Sequence, residues 1–411
     1  MANADLRFEA VPVALAMCEL AGRTPRSMID FTRLAGQLGD FAAYRREEDT
    51  RHADRLRRAL AALAECRGDW EALVEQAEAR PKGPLRALPL SDPGDRFGCG
   101  DRPATVTVVA TDGSQIFPDR HVDPACYLLN VGRIALHYGT LDPPLIQAEP
   151  DLRYRQHDLL ELADDEDPVS IDFSAEVVSA LRDEQELHWL FETASEERRS
   201  GRAIVGLADG TLIRWMLRGM KNRRVEDRLI DRYVAELDRF QAAGIPIASY
   251  ISRPGNAEVI NLLRLYLGEE DFSADPDSLR GLLDRHLFEE VLSVGERTPL
   301  FSSRSEVLMR YGDHRIVAFY VRGSEEVGRV EMPEWVVRQP DWLDLIHSVV
   351  LDQCEKGGGY PIILQEAHQR AVVRAQEKEV FYRILARQVR NAGGSTPSYS
   401  GKASSKRAPR V

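Results

Sequence analysis

The chain has 411 residues, 43% of them apolar and 29% charged, with a formal net charge of −12. That length holds a full hydrophobic core in one large domain or two ordinary ones. The acidic balance excludes a protein that coats nucleic acid by bulk charge, but leaves room for an enzyme with a local basic channel. Five scattered cysteines (Cys18, Cys66, Cys99, Cys126 and Cys354) form no CxxC pair. They argue against a disulfide framework or zinc site, and for a reducing, cytoplasmic setting.

The N-terminal stretch MANADLRFEAVPVALAMCEL carries Asp5 and Glu9 ahead of its apolar part, with Arg7 as its single basic side chain. It reads as an amphipathic helix rather than a signal peptide, and no apolar run reaches membrane-spanning length. Helical spacing of apolar residues continues to about residue 80, giving a helical arm over 1–95. The Pro- and Gly-rich stretch RPKGPLRALPLSDPGDRFGCGDRP then reads as a linker.

From residue 105 the texture changes. TVTVVATDGSQI is a β-branched run ending in an Asp-Gly turn signal, and YLLNVGRIALHYGT is a second strand beside it. Residues 175–199 predict a helix, GRAIVGLADGTLI a buried strand with its own Asp-Gly turn, 212–243 a long helix, and IPIASYIS a further strand. Residues 255–295 are mostly helical. HRIVAFYVRG and EVGRVEMP pair as strands, and 340–390 is helical with a Gly-rich break at 357–359. Residues 391–411 read as a disordered basic tail; from 380 onward there are seven Lys/Arg and no Asp or Glu. The order of elements predicts a mixed α/β sheet with helices on its faces.

Asp112 and Asp209 each close a buried strand, where the sites of α/β sheets gather. A lone Asp-Gly is ordinarily a turn, but two such carboxylates suit Mg²⁺ or Mn²⁺, which take hard oxygen ligands. On the helix 175–199, Glu184 falls within the face made by Val177, Ala180, Leu181, Leu187 and Phe191. A carboxylate aimed at a core needs a partner or a metal. His188 is one turn further on. Glu192, at the edge of that face, is the alternative, and Glu186 points to the opposite side. His368, eight residues after Tyr360, offers an imidazole on a C-terminal helix, although a lone helical His is ordinarily structural. Arg214, Arg218, Lys221, Arg223, Arg224 and Arg228 follow Asp209, either as a solvated helix face or as contacts to a nucleic-acid backbone.

Taken in order, ATDGSQIFPDR…YLLNVGRIALHYG, VGLADGTLI, IASYISRPGNAEVINLLR, GRVEMPEWV and GYPIILQEAHQRAVV resemble the NurA-domain nucleases over roughly residues 100–390. The resemblance implies an RNase H-like core, a mixed five-stranded sheet flanked by helices, with the N-terminal helices and the tail outside it. It implies a metal-dependent DNA nuclease, a 5′-to-3′ exonuclease and single-strand endonuclease that acts in double-strand break end resection. It further implies Mn²⁺ (or Mg²⁺), with two ions expected, a homodimer, DNA as substrate and a HerA-type hexameric translocase as partner. Carried over residue by residue, Asp112, Glu184 (or Glu192), Asp209 and His368 become the metal set, and Tyr360 the tyrosine preceding the histidine. The second turn reads DGT where DGS is commoner, and Thr keeps the hydroxyl. A haloacid-dehalogenase-like phosphatase is excluded, because the nucleophile position two residues before Asp209 is Leu207. A catalytically inactive NurA-like partner of a translocase is the remaining rival reading.

Overall fold

The structure, a computed structural model, describes residues 31–118, 126–154, 175–199, 201–217, 220, 223–269, 278–339 and 341–394. In chain order the described elements begin with helices α1 (Phe31–Cys66) and α2 (Trp70–Ala79). Strands β1 (Leu88–Pro89), β2 (Val106–Ile116), β3 (Tyr127–Tyr138) and β4 (Leu145–Arg153) follow. Then come α3 (Ala175–Glu196), β5 (Ala203–Asp209), α4 (Arg223–Ala243), β6 (Ile247–Ile251), α5 (Glu258–Tyr266) and α6 (Asp284–Val291). The chain continues with β7 (Phe301–Ser302), β8 (Ile316–Arg322), β9 (Val327–Pro333), α7 (Glu334–Val337), α8 (Trp342–Lys356), α9 (Ile362–Ala371) and α10 (Ala375–Asn391).

The strands make one nine-stranded sheet in the order β1-β7-β8-β9-β6-β5-β2-β3-β4. Five of them, β4-β3-β2-β5-β6, form the RNase H-like part: an antiparallel meander β2-β3-β4, with β5 and β6 added parallel to β2. The five-stranded expectation therefore describes the part that carries the site. Antiparallel β9, β8, β7 and β1 extend the sheet beyond β6. The predicted linker is not loose. Leu88 and Pro89 pair with Ser302 and Phe301 at the sheet edge, and Ala87 and Leu88 are buried.

Central strands β5 and β6 are apolar on both faces, as strands covered on both sides must be. Helices α3 and α4 and the C-terminal helices α8 and α9 pack around them in one large core containing Val108, Leu207, Leu190, Phe240, Val349 and Ala367. A second core joins the base of α1 (Ala59, Ala62, Leu63) and α2 to α5, α6 and the outer strands through Leu262, Leu263, Phe288 and Tyr320. The described part of the arm thus shares a core with the outer sheet, while most of residues 31–50 face solvent. The amphipathic reading of residues 1–30 and the tail over 395–411 lie outside the described residues.

One helix boundary and one strand differ from expectation. After Asp209 the chain makes a short 3₁₀ turn (Trp215–Leu217), and α4 begins only at Arg223 rather than at 212. Strand β4, with its half-exposed alternation, was not anticipated from the sequence. No helix among the described residues is long and apolar enough to cross a membrane.

Candidate active site

Strand register creates the site. The parallel pairing of β2 with β5 ends at Thr111↔Ala208. Asp112 and Asp209 are each the next residue, so they stand side by side and project to the same face, because side chains alternate along a strand. The two Asp-Gly pairs are nevertheless unlike. Asp209-Gly210 is a true strand-ending turn, with Gly210 at φ +75°. Asp112-Gly113 is no turn, since β2 runs on through Ile116 in register with β3. Gly113 serves close approach instead: a Cβ there would sit 2.5 Å from Oε1 of Glu186 and 2.7 Å from Cγ of Arg182.

One segment, from Tyr360 through α9, covers the face that carries both aspartates. The Tyr360 hydroxyl donates to Oδ1 of Asp209 at 2.7 Å, and its ring meets the Tyr250 ring edge-on at 5.7 Å. Eight residues on, Nδ1 of His368 lies 2.7 Å from Oδ2 of Asp112. Helix α9 is seated by its end: Oγ of Ser114 and Nδ2 of Asn130 both donate to the carbonyl of Ala371, at 2.5 and 2.7 Å. Those side chains satisfy a carbonyl of the last helical turn that has no partner within the helix. The structure therefore brings Asp112, Asp209, Tyr360 and His368 together.

Glu184 is not with them. It is buried, as periodicity requires, but it pairs with Arg232 of α4 (Nη2–Oε1 2.6 Å). Its neighbours in the same row follow suit: His188 Nδ1 lies 3.1 Å from Glu236, and Glu192 pairs with Arg239. The row Glu184–His188–Glu192 is the ion-paired seam between α3 and α4, and neither glutamate joins the Asp112–Asp209 group. Helical spacing identifies which residues are covered, but not whether a neighbouring helix or the sheet covers them.

Glu186, expected to point away, packs on β2 beside the site, from the side of the strand opposite Asp112. It lies over Gly113, and Oγ1 of Thr111 donates to its backbone carbonyl at 2.8 Å. Burial, then the nearby Asp183, pushes its carboxyl up to about 8; Asp112 pushes the same way, against Arg182. Nε of Arg182 lies 3.0 Å from Oε1 of Glu186, yet that buried oxygen has no properly directed hydrogen bond. Arg182 is also held by Asp183 (2.7 Å) and Gln115 (3.2 Å). Burial also raises the Asp209 carboxyl, opposed by the proton donated from Tyr360.

A second glutamate that sequence reading missed fixes the turn after Asp209. Oε2 of Glu331, on β9, accepts from the Thr211 hydroxyl at 2.8 Å and from the Leu212 amide at 2.9 Å, while Arg329 binds its other oxygen at 2.9 Å. Its signal was a charged residue in the apolar run GRVEMP. Among the predicted basic residues, Arg214 is turned inward to Asp183 (3.1 Å) and over the Tyr233 ring. Arg218 and Lys221 lie outside the described residues.

Among the described residues no three acidic, imidazole or thiol groups converge on one point as a metal site. The donor set nonetheless suits a hard divalent cation. It offers three carboxylates and an imidazole, two of the carboxyls are pushed upward, and one oxygen, Oε1 of Glu186, is buried without a hydrogen bond.

Fold and site together define an RNase H-like α/β protein whose adjacent strand ends present paired carboxylates flanked by a tyrosine and a histidine. The NurA-domain family model matches residues 106–373, and the chain belongs to that family. The NurA nuclease of Sulfolobus solfataricus is a similar solved structure at 14% identity, covering 72% of this chain and 88% of that one with a TM-score of 0.46. A NurA structure with manganese is 12% identical, covering 77% and 96% with a TM-score of 0.37. A type 1 RNase H1 with the type 2 active-site motif is 12% identical, covering 40% and 72% with a TM-score of 0.21. No curated protein matches the chain.

Proposed function

We propose that the protein is a metal-dependent deoxyribonuclease that hydrolyses phosphodiester bonds at the cluster of Asp112, Glu186, Asp209 and His368. The observation that carries this reading is the β2/β5 register, which sets Asp112 and Asp209 side by side beneath His368 and Tyr360. Family membership supports it, and a NurA structure with manganese supports Mn²⁺ (or Mg²⁺) as the cation. Asp112, Asp209 and Glu186 would hold the cation, with His368 as a further donor. When bound, it would polarise the phosphodiester and acidify a water.

The chain's own residues do the rest. Tyr360 donates a hydrogen bond to Oδ1 of Asp209 and so fixes the carboxylate's rotation. Among the described residues His368 hydrogen-bonds through Nδ1, which leaves the other ring nitrogen to orient a water or the departing oxygen. Glu331 holds the turn after Asp209 and so the direction of that carboxylate. Arg182 balances the crowded carboxylates before the cation arrives. The same reading extends to 5′-to-3′ exonuclease and single-strand endonuclease action by a homodimer, in end resection with a HerA-type hexameric translocase.

The test is cleavage of end-labelled linear DNA with Mn²⁺, comparing wild type with Asp112→Asn and with an EDTA control. Cation-dependent degradation that disappears in the variant supports the reading. A wild type that stays inactive even with its cognate translocase would favour a NurA-like protein acting only as a partner.

A further inference from the structure

Helix α10 begins four residues after α9 ends, directly beyond the site segment. One side of it is anchored. Tyr382 is buried with Ile116 and Cys126, and Phe381, Leu385, Val373 and Leu128 pack around them. Ile116 is the last residue of β2, four positions past Asp112. The anchored helix is therefore attached to the strand that carries a site aspartate.

Its other side, after Glu379, carries a row of cations along the helix's C-terminal half. Arg383, Arg387 and Arg390 recur at i, i+4 and i+7, which places them on one face. All three are exposed, and among the described residues none has an ion-pair partner. From 380 onward the sequence has no Asp or Glu at all. In a chain of net charge −12 this is a local reversal of sign. An exposed arginine row gains little stability from leaving its charges uncompensated, so the arrangement points to an anionic ligand supplied from outside. A row of guanidinium groups along a helix matches a repeating phosphate backbone, which such groups bind without reading sequence.

We infer that the Arg383–Arg387–Arg390 face of α10 is a phosphate track that holds single-stranded nucleic acid as it passes to or from the Asp112 site. The inference rests on the nuclease reading for the identity of the ligand, but it concerns binding and is tested without the cation. The full chain is titrated in EDTA with a fluorescent single-stranded oligonucleotide, reading anisotropy across a range of salt concentrations. It is compared with the Arg383→Gln/Arg387→Gln/Arg390→Gln variant and with the corresponding triple Lys variant. All three sites are exposed, and an unchanged thermal midpoint checks the fold.

The expected result is affinity at least about tenfold weaker at low salt for the Gln variant. Its salt slope should be shallower by about two units, the share of three phosphate contacts on a single strand. The Lys variant should restore most of both. Affinity and slope equal to wild type overturn the inference while leaving the nuclease reading intact. If wild type does not cleave DNA with Mn²⁺ even with its cognate translocase, but the Gln variant still loses binding, the nuclease reading fails and the track stands. Exposed Val380 and Ile384 flank the stripe, so vesicles rich in phosphatidylserine form a second arm. Vesicle binding lost in the Gln variant with DNA binding unchanged would assign the face to a membrane surface and overturn the inference.

Discussion

Gly132 lies directly across the β2–β3 ladder from Asp112, and helix α9 occupies the space where a side chain at Gly132 would be. A Cβ there would stand 2.6 Å from the carbonyl oxygen of Ala367 and 2.9 Å from the amide of Ala371. Both are backbone atoms that cannot yield by rotating. The glycine thus sets how closely the helix carrying His368 approaches the strand carrying Asp112.

Gly132→Ala should therefore push α9 outward and lengthen the 2.7 Å contact between His368 and Asp112. We expect about a 10²-fold loss of DNA cleavage, since small misplacement of reacting groups is costly. The accompanying stability loss is about 1–3 kcal/mol from overpacking. Cleavage rate and denaturant midpoint measured on one preparation check this. An active variant of wild-type stability would show that the approach is not constrained at Gly132.

The two helix glutamates separate cleanly. Glu186→Gln should lower cation-dependent cleavage by about 10²-fold, the scale for removing one preorganised electrostatic contact from an active site. Glu184→Gln should leave cleavage near wild type and cost about 1–3 kcal/mol of stability, because Arg232 loses its buried carboxylate. Since the Glu186 carboxyl is pushed up to about 8, a cation must displace its proton at neutral pH. Mn²⁺ affinity should climb with pH until about 8 in wild type and climb less steeply in Glu186→Gln. Loss of cleavage in Glu184→Gln with Glu186→Gln active would reverse the assignment.

Why one glutamate was legible and the other was not follows from what periodicity encodes. Spacing along 175–199 located a covered face, and Glu184 is indeed buried. It could not say that α4 supplies the cover, because Arg232, Glu236 and Arg239 are far away in sequence. Glu186 was invisible for the converse reason. It sits off the apolar face and packs against β2 only because Gly113 lacks a side chain, and the sequence presents that glycine as a turn. Asp112, Asp209 and His368 could be placed together because ordered motifs, strand ends and family resemblance agreed on them. The outer strands β7 and β1 are two residues each, too short for any alternation to appear, and so the sheet's full width could not be read.

Tyr360→Phe isolates one hydrogen bond. The ring contact with Tyr250 survives, and only the proton donated to Asp209 is lost. Burial and the adjacent Asp209 carboxylate hold the Tyr360 phenol protonated, so it acts as a donor at every physiological pH. We expect kcat to fall about tenfold with KM little changed, the pattern for a group that orients a reacting carboxylate rather than binding substrate. Stability should move by no more than about 1 kcal/mol. A rise in KM at constant kcat would instead place the hydroxyl against the DNA.

His347, away from the site, makes the clearest pH prediction. It is 1% exposed on α8, edge-on to Phe319 at 5.8 Å. Burial, reinforced by Arg297, holds its imidazole down at about 4, against an ordinary 6.5. Above pH 6.5 the ring is neutral in both folded and unfolded chains, and the full stability is present. As pH falls from 6.5 toward 4 the unfolded chain takes up the proton first, and stability is lost across that window. The span of about 2.5 units corresponds to about 3 kcal/mol at most. Chemical denaturation at pH 7.5 and pH 4.5 should show this loss in wild type, and His347→Gln should lose less by about that amount. Equal losses in the two proteins would mean that the acid sensitivity arises elsewhere, in the carboxylates of the α3–α4 seam.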